Sequence, residues 1–385
     1  MQLSVIILNY NVRFFLEQCI HSVQKAIQNM DAEIIVVDNH SQDDSCSMVK
    51  STFPEVILIE NHENLGFPRG NNMGVAIAKG EYVCILNPDT VVEEDTFIKI
   101  LEFAQKQVNL GIIGAKLIDG TGKFLPESKR GVPTPWVAFT KISGLYKKFP
   151  KVESFTRYYA SHVNENQTGK VSILVGAFMV MKRQVYLDLE GFDENCFMYS
   201  DDIDLSYKSL LAGLDNFYFA DTTVIHYKGE STIKDALYVK RFQEAMEFFY
   251  QKHFKKSALF SIFMKIGASI FVKNKAQVEV KVHKKIDHYL LLTKNSELGK
   301  LIEHRTLKKV EVFEATQSLM SAIPHKKPNQ QIEIVFDVQS FTYSDIFLIM
   351  SELSEKSFTF KMLLNTHKFM IGSDSSDGRG EVVDL

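Results

Sequence analysis

The chain is poor in the residues that staple small folds together. Four cysteines occur in 385 residues, Cys19, Cys46, Cys84 and Cys196, and none forms a C-x-x-C pair. This argues against a disulfide framework or a zinc ribbon and fits a reducing compartment. The net charge is only -3, so the whole chain is not a polyanion binder and no nucleic-acid partner is expected. No signal peptide is visible, because the apolar run Leu3–Leu8 is too short for one. The chain is therefore expected on the cytoplasmic side. Several catalytic motifs are also missing. There is no H-E-x-x-H, no G-x-S-x-G, and no G-x-G-x-x-G after the first apolar run, which argues against a zincin, a serine-hydrolase elbow and a dinucleotide domain. Gly120-Thr121-Gly122-Lys123 resembles part of a phosphate loop, but Leu117 and Phe124 replace the required glycine and Ser/Thr.

What is present is ordinary globular material: 45% hydrophobic and 24% charged residues, enough for two or three domains. Short apolar runs alternate with helical patterns through the first part. Leu3–Leu8, Glu33–Val37, Val56–Glu60 and Tyr82–Leu86 read as strands, and Val12–Asn29, Asp43–Thr52, Gly70–Ala78 and Glu93–Gln105 as helices. Such alternation predicts a mostly parallel sheet covered on both faces. Ligands of such sheets bind at the carboxyl ends of the strands. Residues 120–170 are irregular and read as an excursion over the site. Val171–Met181 reads as a strand, Asn216–Phe219 and Thr223–His226 as short strands, and Lys234–His253 as a helix.

The spacing divides the chain into a domain over 1–255, a basic amphipathic linker helix over 256–285 and a small α/β unit over 286–385. From Lys252 to Lys285 there are nine lysines and one glutamate. Within that stretch Ser257–Val272 has a single charge; it is shorter than the roughly 20 residues of a membrane span. Peripheral contact with an anionic membrane or packing on the core both fit. The last unit offers Asp287–Leu292, Lys309–Phe313, Ile332–Val338 and Thr359–Leu364 as strands and Ser344–Leu353 as a helix.

Five polar clusters come directly after strand ends. Asn9, Tyr10 and Asn11 come first, then Asp38 and Asn39; these can bind a base and ribose, or Asn11 can cap a helix. The third runs Asn64-Leu65-Gly66-Phe67-Pro68-Arg69-Gly70-Asn71-Asn72. Its glycines permit close approach, the helix amides can face a diphosphate, and Arg69 adds positive charge. The fourth, Asn87-Pro88-Asp89, offers a hard oxygen ligand for Mg²⁺ or Mn²⁺, or a common turn. In the fifth, Asp201, Asp202 and Asp204 crowd a helix start. The dipole favours one of them, but three repel, which suggests a metal, a bound cation or a raised pKa. His226, at a strand end, is either structural or a ligand.

The ordered set resembles family 2 glycosyltransferases of the GT-A fold, in particular the bacterial rhamnosyltransferase-like branch. The matching text is Val5–Asn11, Val36–Asn39, Asn64–Phe67, Gly70–Asn72, Leu86–Thr90, Val175–Ala177, Gly191–Glu194, Asp201–Leu205 and Val224–His226. The resemblance implies that Asn9 and Asp38 hold the nucleotide and that Asn64, Gly66 and Asn71 shape its pocket. Asp89 would bind the divalent metal, with His226 completing the site. The family's D-x-D reads Asn87-Pro88-Asp89 here, as is common in that branch. Asp202 would be the general base, with Asp201 in place of the usual glutamate. The expected activity is inverting transfer from a dTDP- or UDP-sugar to a hydroxyl of a glycan or glycolipid acceptor. A non-catalytic scaffold would not need the carboxylates at 89, 201, 202 and 204. A nucleotidyltransferase would need a glycine-rich loop that Asn9–Arg13 lacks.

Overall fold

The structure, a computed structural model, describes residues 1–134, 137, 157–228, 236–254, 286–313, 331–356, 358–364, 366–373 and 380–385. The expected linker helix at 256–285, Trp136 and most of the excursion after it lie outside the described residues.

The amino-terminal part contains β1 (Leu3–Asn9), α1 (Arg13–Ile27), β2 (Ala32–Asp38), α2 (Ser45–Thr52), β3 (Ile57–Glu60), α3 (Phe67–Ile77), β4 (Tyr82–Leu86), β5 (Thr90–Val92), α4 (Thr96–Gln105) and β6 (Leu110–Ile118). It continues through β7 (Lys129–Arg130), β8 (Gly169–Lys170), β9 (Ile173–Leu174), β10 (Phe178–Lys182), α5 (Arg183–Asp188), α6 (Asp201–Leu211), β11 (Asp215–His226) and α7 (Ala236–His253). The main sheet runs β3-β2-β1-β4-β10-β6-β11-β5, with β8 alongside β11. β1 pairs in parallel with β2 and β4, while β10 enters antiparallel between β4 and β6. This mixed sheet, flanked by helices, is the GT-A arrangement. β1 is buried along its whole length, as a strand covered on both faces must be.

Three differences from the sequence reading matter for the site. The run Val171–Met181 is two strands, β9 and β10, broken at Val175-Gly176-Ala177. The two short strands before His226 are one, β11, with a register shift between Phe219 and Thr223. α3 starts three residues earlier than its spacing suggested. Pro68 fits the first helical turn, where its missing N–H costs nothing.

The carboxyl-terminal unit holds β12 (His288–Leu292), α8 (Glu297–Thr306), β13 (Val310–Phe313), β14 (Ile332–Asp337), α9 (Tyr343–Leu353), β15 (Thr359–Leu364), β16 (Phe369–Ser373) and β17 (Glu381–Asp384). Its sheet order is β13-β12-β14-β15-β16-β17, parallel from β13 to β15 and antiparallel thereafter.

This unit shares a core with the first sheet. Val12, Phe15, Val91, Ile118, Ile225 and Tyr227 pack in one cluster with Leu290, Ile334, Phe336, Phe347, Phe360 and Met362. α1 is therefore covered on two sides. Leu16, Cys19, Ile20 and Val23 face the first core. On the other side Gln18 bonds Met362, His21 bonds the Tyr343 hydroxyl at 2.9 Å, and Lys25 donates to the Val338 carbonyl at 2.7 Å. Burial pushes His21 down to about 4, with Lys25 adding to the effect.

Candidate active site

The carboxyl ends of β1, β2 and β4 open onto a cavity of about 400 Å³, a size typical of small-ligand sites. Of the residues singled out in the sequence, Tyr10, Asn39, Asn64, Gly66, Phe67, Asn87, Asp89, Asp201, Asp202 and His226 line it. They come from segments up to two hundred residues apart, brought together because each follows a strand or opens a helix at the same edge of the sheet.

Asn9, Asn11, Asp38, Arg69 and Asn71 are not among the lining residues. Asn9 and Asp38 are almost fully buried and bonded to each other at 2.7 Å. Asp38 also accepts from the Ser41 N–H and hydroxyl. Asn11 adopts a left-handed φ of 56° and its side-chain oxygen accepts from the Gln42 N–H. These residues brace the loops after β1 and β2. Arg69, expected to bring positive charge to the pocket, pairs at the surface with Glu194, Nε to Oε2, at 3.1 Å. Asn71 lies inside α3 and donates to the Phe67 carbonyl, and its own oxygen is buried without a partner among the described residues.

Gly66 lets the chain turn into α3. Its φ is +83°, and an added Cβ would lie 2.8 Å from the Phe197 carbonyl oxygen. The left-handed region is open to glycine at little cost. The Phe67 N–H donates to that same carbonyl, which seats the start of α3 against the segment leading to α6.

α6 opens with the three aspartates, and they divide. Asp201 and Asp202 face the cavity. Asp204 does not: it is fully buried and accepts from Lys252 Nζ at 2.9 Å and His253 Nε2 at 2.5 Å on α7. The repulsion read from the sequence is thus relieved in part by Lys252, a cation from a distant helix. Asp202 accepts from the Gly176 N–H at 3.0 Å and from Arg130 Nη2 at 2.5 Å. Arg130 is itself deeply placed. Burial alone would lower its pKa, but the Asp202 charge and Tyr158 hold it above the ordinary guanidinium value. Asp201 makes no ion pair of its own among the described residues: burial, and then the negative charge of Asp202, push its carboxyl up to about 7, and the Arg130 charge opposes the upward shift only in part.

Across the cavity, Asp89 Oδ1 lies 3.4 Å from His226 Nε2, and Asn87 Nδ2 lies 3.3 Å from the same nitrogen. No cluster of three His, Cys, Asp or Glu side chains exists among the described residues. The residues present still fit a hard divalent cation that shares its shell with substrate phosphates. Asp89 would be the anionic donor and His226 an imidazole donor. The Asn87 side-chain oxygen is buried with no partner among the described residues, so it could serve as a third. Two further cations reach this cavity, Arg130 and Lys228. Lys228 pairs with Glu127. Burial would raise the Glu127 carboxyl, but Lys228 beside it outweighs that and the net shift is downward.

Sequence reasoning missed Arg130 and Lys228. Arg130 sits on the two-residue strand β7, which among the described residues pairs only with β9, and no periodic pattern marks so short an element. Lys228 lies two residues past His226; its position beyond the end of β11 was the available signal.

The mixed sheet, with polar residues gathered at its carboxyl edge, is the arrangement of the GT-A fold. Residues 4–189 match the sequence profile described as Glycosyl transferase family 2, and this domain belongs to that family, of the hexosyl- or rhamnosyltransferase type. The N-acetylglucosaminyl-diphospho-decaprenol L-rhamnosyltransferase of Mycobacterium tuberculosis is 25% identical over 244 residues, 60% of this chain and 78% of that protein. The rhamnosyltransferase WbbL of Escherichia coli is 26% identical over 182 residues, 42% of this chain and 61% of that protein. Among solved structures, the mannosyltransferase PcManGT of Pyrobaculum calidifontis, in complex with GDP-Man and Mn²⁺, is 17% identical with a TM-score of 0.46, covering 72% of this chain and 76% of that one. No helix among the described residues is long and apolar enough to cross a membrane.

Proposed function

We propose that this protein moves a sugar, with inversion, from a dTDP- or UDP-sugar to a hydroxyl of a lipid-linked glycan in cell-surface polysaccharide assembly. The observation that carries the reading is that Asp89 and His226 share one cavity with Asp201 and Asp202. The nucleotide is held over the loops after β1 and β2, with Tyr10, Asn39 and Asn64 as its nearest polar contacts. Asp89, His226 and the Asn87 oxygen would hold Mg²⁺ or Mn²⁺, which would supply charge neutralisation at the diphosphate. Arg130 and Lys228 add fixed positive charge where the leaving group's negative charge develops.

Asp202 takes the proton of the acceptor hydroxyl. That oxygen forms the new bond to the anomeric carbon, and the bond from that carbon to the diphosphate oxygen breaks. For this Asp202 must leave Arg130. A second assignment has its own support: Asp201, with its carboxyl pushed up to about 7, has the proton affinity suited to a base at neutral pH. The lipid-linked acceptor is supported by the name of the mycobacterial relative. The lysine-rich segment over 256–285 would meet such an acceptor at the inner face of the membrane. Lys252 is not part of that surface, since it bonds Asp193 and Asp204.

The test is Asp202→Asn and Asp201→Asn, assayed against a panel of dTDP- and UDP-sugars. Asp202→Asn is expected to lower kcat by about 10²–10⁴ while Mn²⁺-dependent binding of the nucleoside diphosphate persists. Full turnover in Asp202→Asn with loss in Asp201→Asn moves the base to Asp201. Full turnover in both refutes the reading.

A further inference from the structure

The carboxyl-terminal sheet is built against the back of the strand pair that carries Asp89 and His226. β5 pairs antiparallel with the end of β11, His226 opposite Thr90, Ile225 opposite Val91 and Val224 opposite Val92. The ladder is closed on the cavity side by the Tyr227 N–H donating to the Asp89 carbonyl at 3.0 Å. At its other end Glu93 accepts from the Thr222 hydroxyl and the Thr223 N–H, both at 2.9 Å. The next residue, Glu94, reaches out of the domain. Its carboxylate accepts from the Tyr343 N–H at 2.8 Å and the Ser344 N–H at 3.3 Å, two of the free amides at the start of α9. An anion is stabilised there by both the amides and the helix dipole.

Beneath the ladder, Val91, Ile225 and Tyr227 pack in one core with strands of the second sheet. The approach is close on this side. A Cβ on Gly120 would lie 2.8 Å from Ser373 Cβ and 2.9 Å from the Tyr227 ring. The short β5, three residues long, thus has the second unit behind it and that unit's helix at its far end.

We propose that the 286–385 unit is part of the active-site frame, and that Glu94 is the positioning residue through which it sets the placement of Asp89 opposite His226. The proposal rests on the reading of those two residues as the metal-diphosphate site. A strand of three residues has few ladder bonds of its own to fix it. Pinning its end to α9 and its face to the second sheet removes the freedom that would otherwise blur the geometry of the donor set. The nucleoside pocket depends on the loops after β1 and β2 instead, so the two parts of the donor site should respond differently when this anchor is cut.

The test uses the full chain with Glu94→Ala, Glu94→Gln and, as an interface control away from β5, Lys123→Ala, which removes the exposed Lys123–Glu355 pair. UDP and dTDP are titrated calorimetrically with and without Mn²⁺. Glu94→Ala is expected to weaken the Mn²⁺-dependent affinity about tenfold, equivalent to about 1.4 kcal/mol, and to leave metal-free affinity unchanged. Glu94→Gln keeps an acceptor oxygen and should recover most of the loss; Lys123→Ala should match the wild type. If Glu94→Ala does not fold, the comparison of Glu94→Gln with Lys123→Ala decides, with a selective loss of about twofold expected in the former. Undiminished Mn²⁺-dependent affinity in the Glu94 variants, or equal loss with and without Mn²⁺, overturns the proposal. A wild type whose affinity gains nothing from Mn²⁺ overturns the metal reading itself, and the proposal with it.

Discussion

Replacing Asp201 by asparagine is expected to stabilise the protein, and to do so more strongly as pH rises. In the native state burial and the Asp202 charge move the Asp201 carboxyl from an ordinary 3.8 to about 7. Between those values the native state holds a proton that the unfolded chain has released, so native stability falls as pH climbs through this window and levels off above it. Asparagine carries no such penalty. From about pH 5.5 to above pH 7 the wild type crosses about 1.5 pH units of the window, and at roughly 1.4 kcal/mol per unit that is about 2 kcal/mol. Unfolding entropy of about 2.1 cal/mol/K per residue converts this to a difference of about 2–3 °C for a chain of this length. Thermal unfolding of wild type and Asp201→Asn at about pH 5.5 and pH 8.5 measures it. The gap in Tm should widen by that amount at the higher pH, and should widen less in an Asp202→Asn background, where the neighbouring charge is gone. A gap of equal size at both pH values would show that Asp201 does not hold a proton in the native state.

Arg130→Ala leaves the Asp202 carboxylate without its cation in a largely enclosed site. Breaking such a pair costs about 3–5 kcal/mol, and urea unfolding should show a lower midpoint of that order; a change under about 0.5 kcal/mol would mean the pair is solvated. Gly66→Ala puts a Cβ against the Phe197 carbonyl at a positive φ, so it should destabilise by about 1–3 kcal/mol and weaken nucleoside diphosphate binding. Unchanged binding would sever the link drawn between this turn and the cavity.

The sheet edge was legible in the sequence because parallel strands buried on both faces are continuous apolar runs, and the polar residues after each run must lie at the sheet's carboxyl edge. That logic places Asp89, Asp201 and Asp202 at one cavity from the order of the residues alone. It fails where burial has no period. No strand was expected where β6 lies; it carries two glycines, Gly111 and Gly114, and at Gly114 a Cβ would strike Leu174 at 2.6 Å, so glycines needed for close packing weaken the apolar pattern. β5 is too short for alternation to register. The apolar stripe of α1 was legible, but the burial of Glu17, Gln18 and Ser22 on its polar side was not. Their partners include His367 and Met362, more than 300 residues away, and a helix stripe carries no mark of a second domain that will cover it. The crowding of the three aspartates pointed to a cation among other outcomes, but that Lys252 on α7 would supply it to Asp204 was not legible, because no local pattern reveals where that helix docks.

The most direct measurement is an anomalous difference map from crystals of the full chain grown with Mn²⁺ and UDP or dTDP. The expected result is a single strong peak about 2.1 Å from an Asp89 carboxylate oxygen, with His226 beside it and the diphosphate reaching toward Arg130 and Lys228. A nucleotide bound outside this cavity, or a peak seated among Asp201, Asp202 and Asp204 with none at Asp89, would contradict the account.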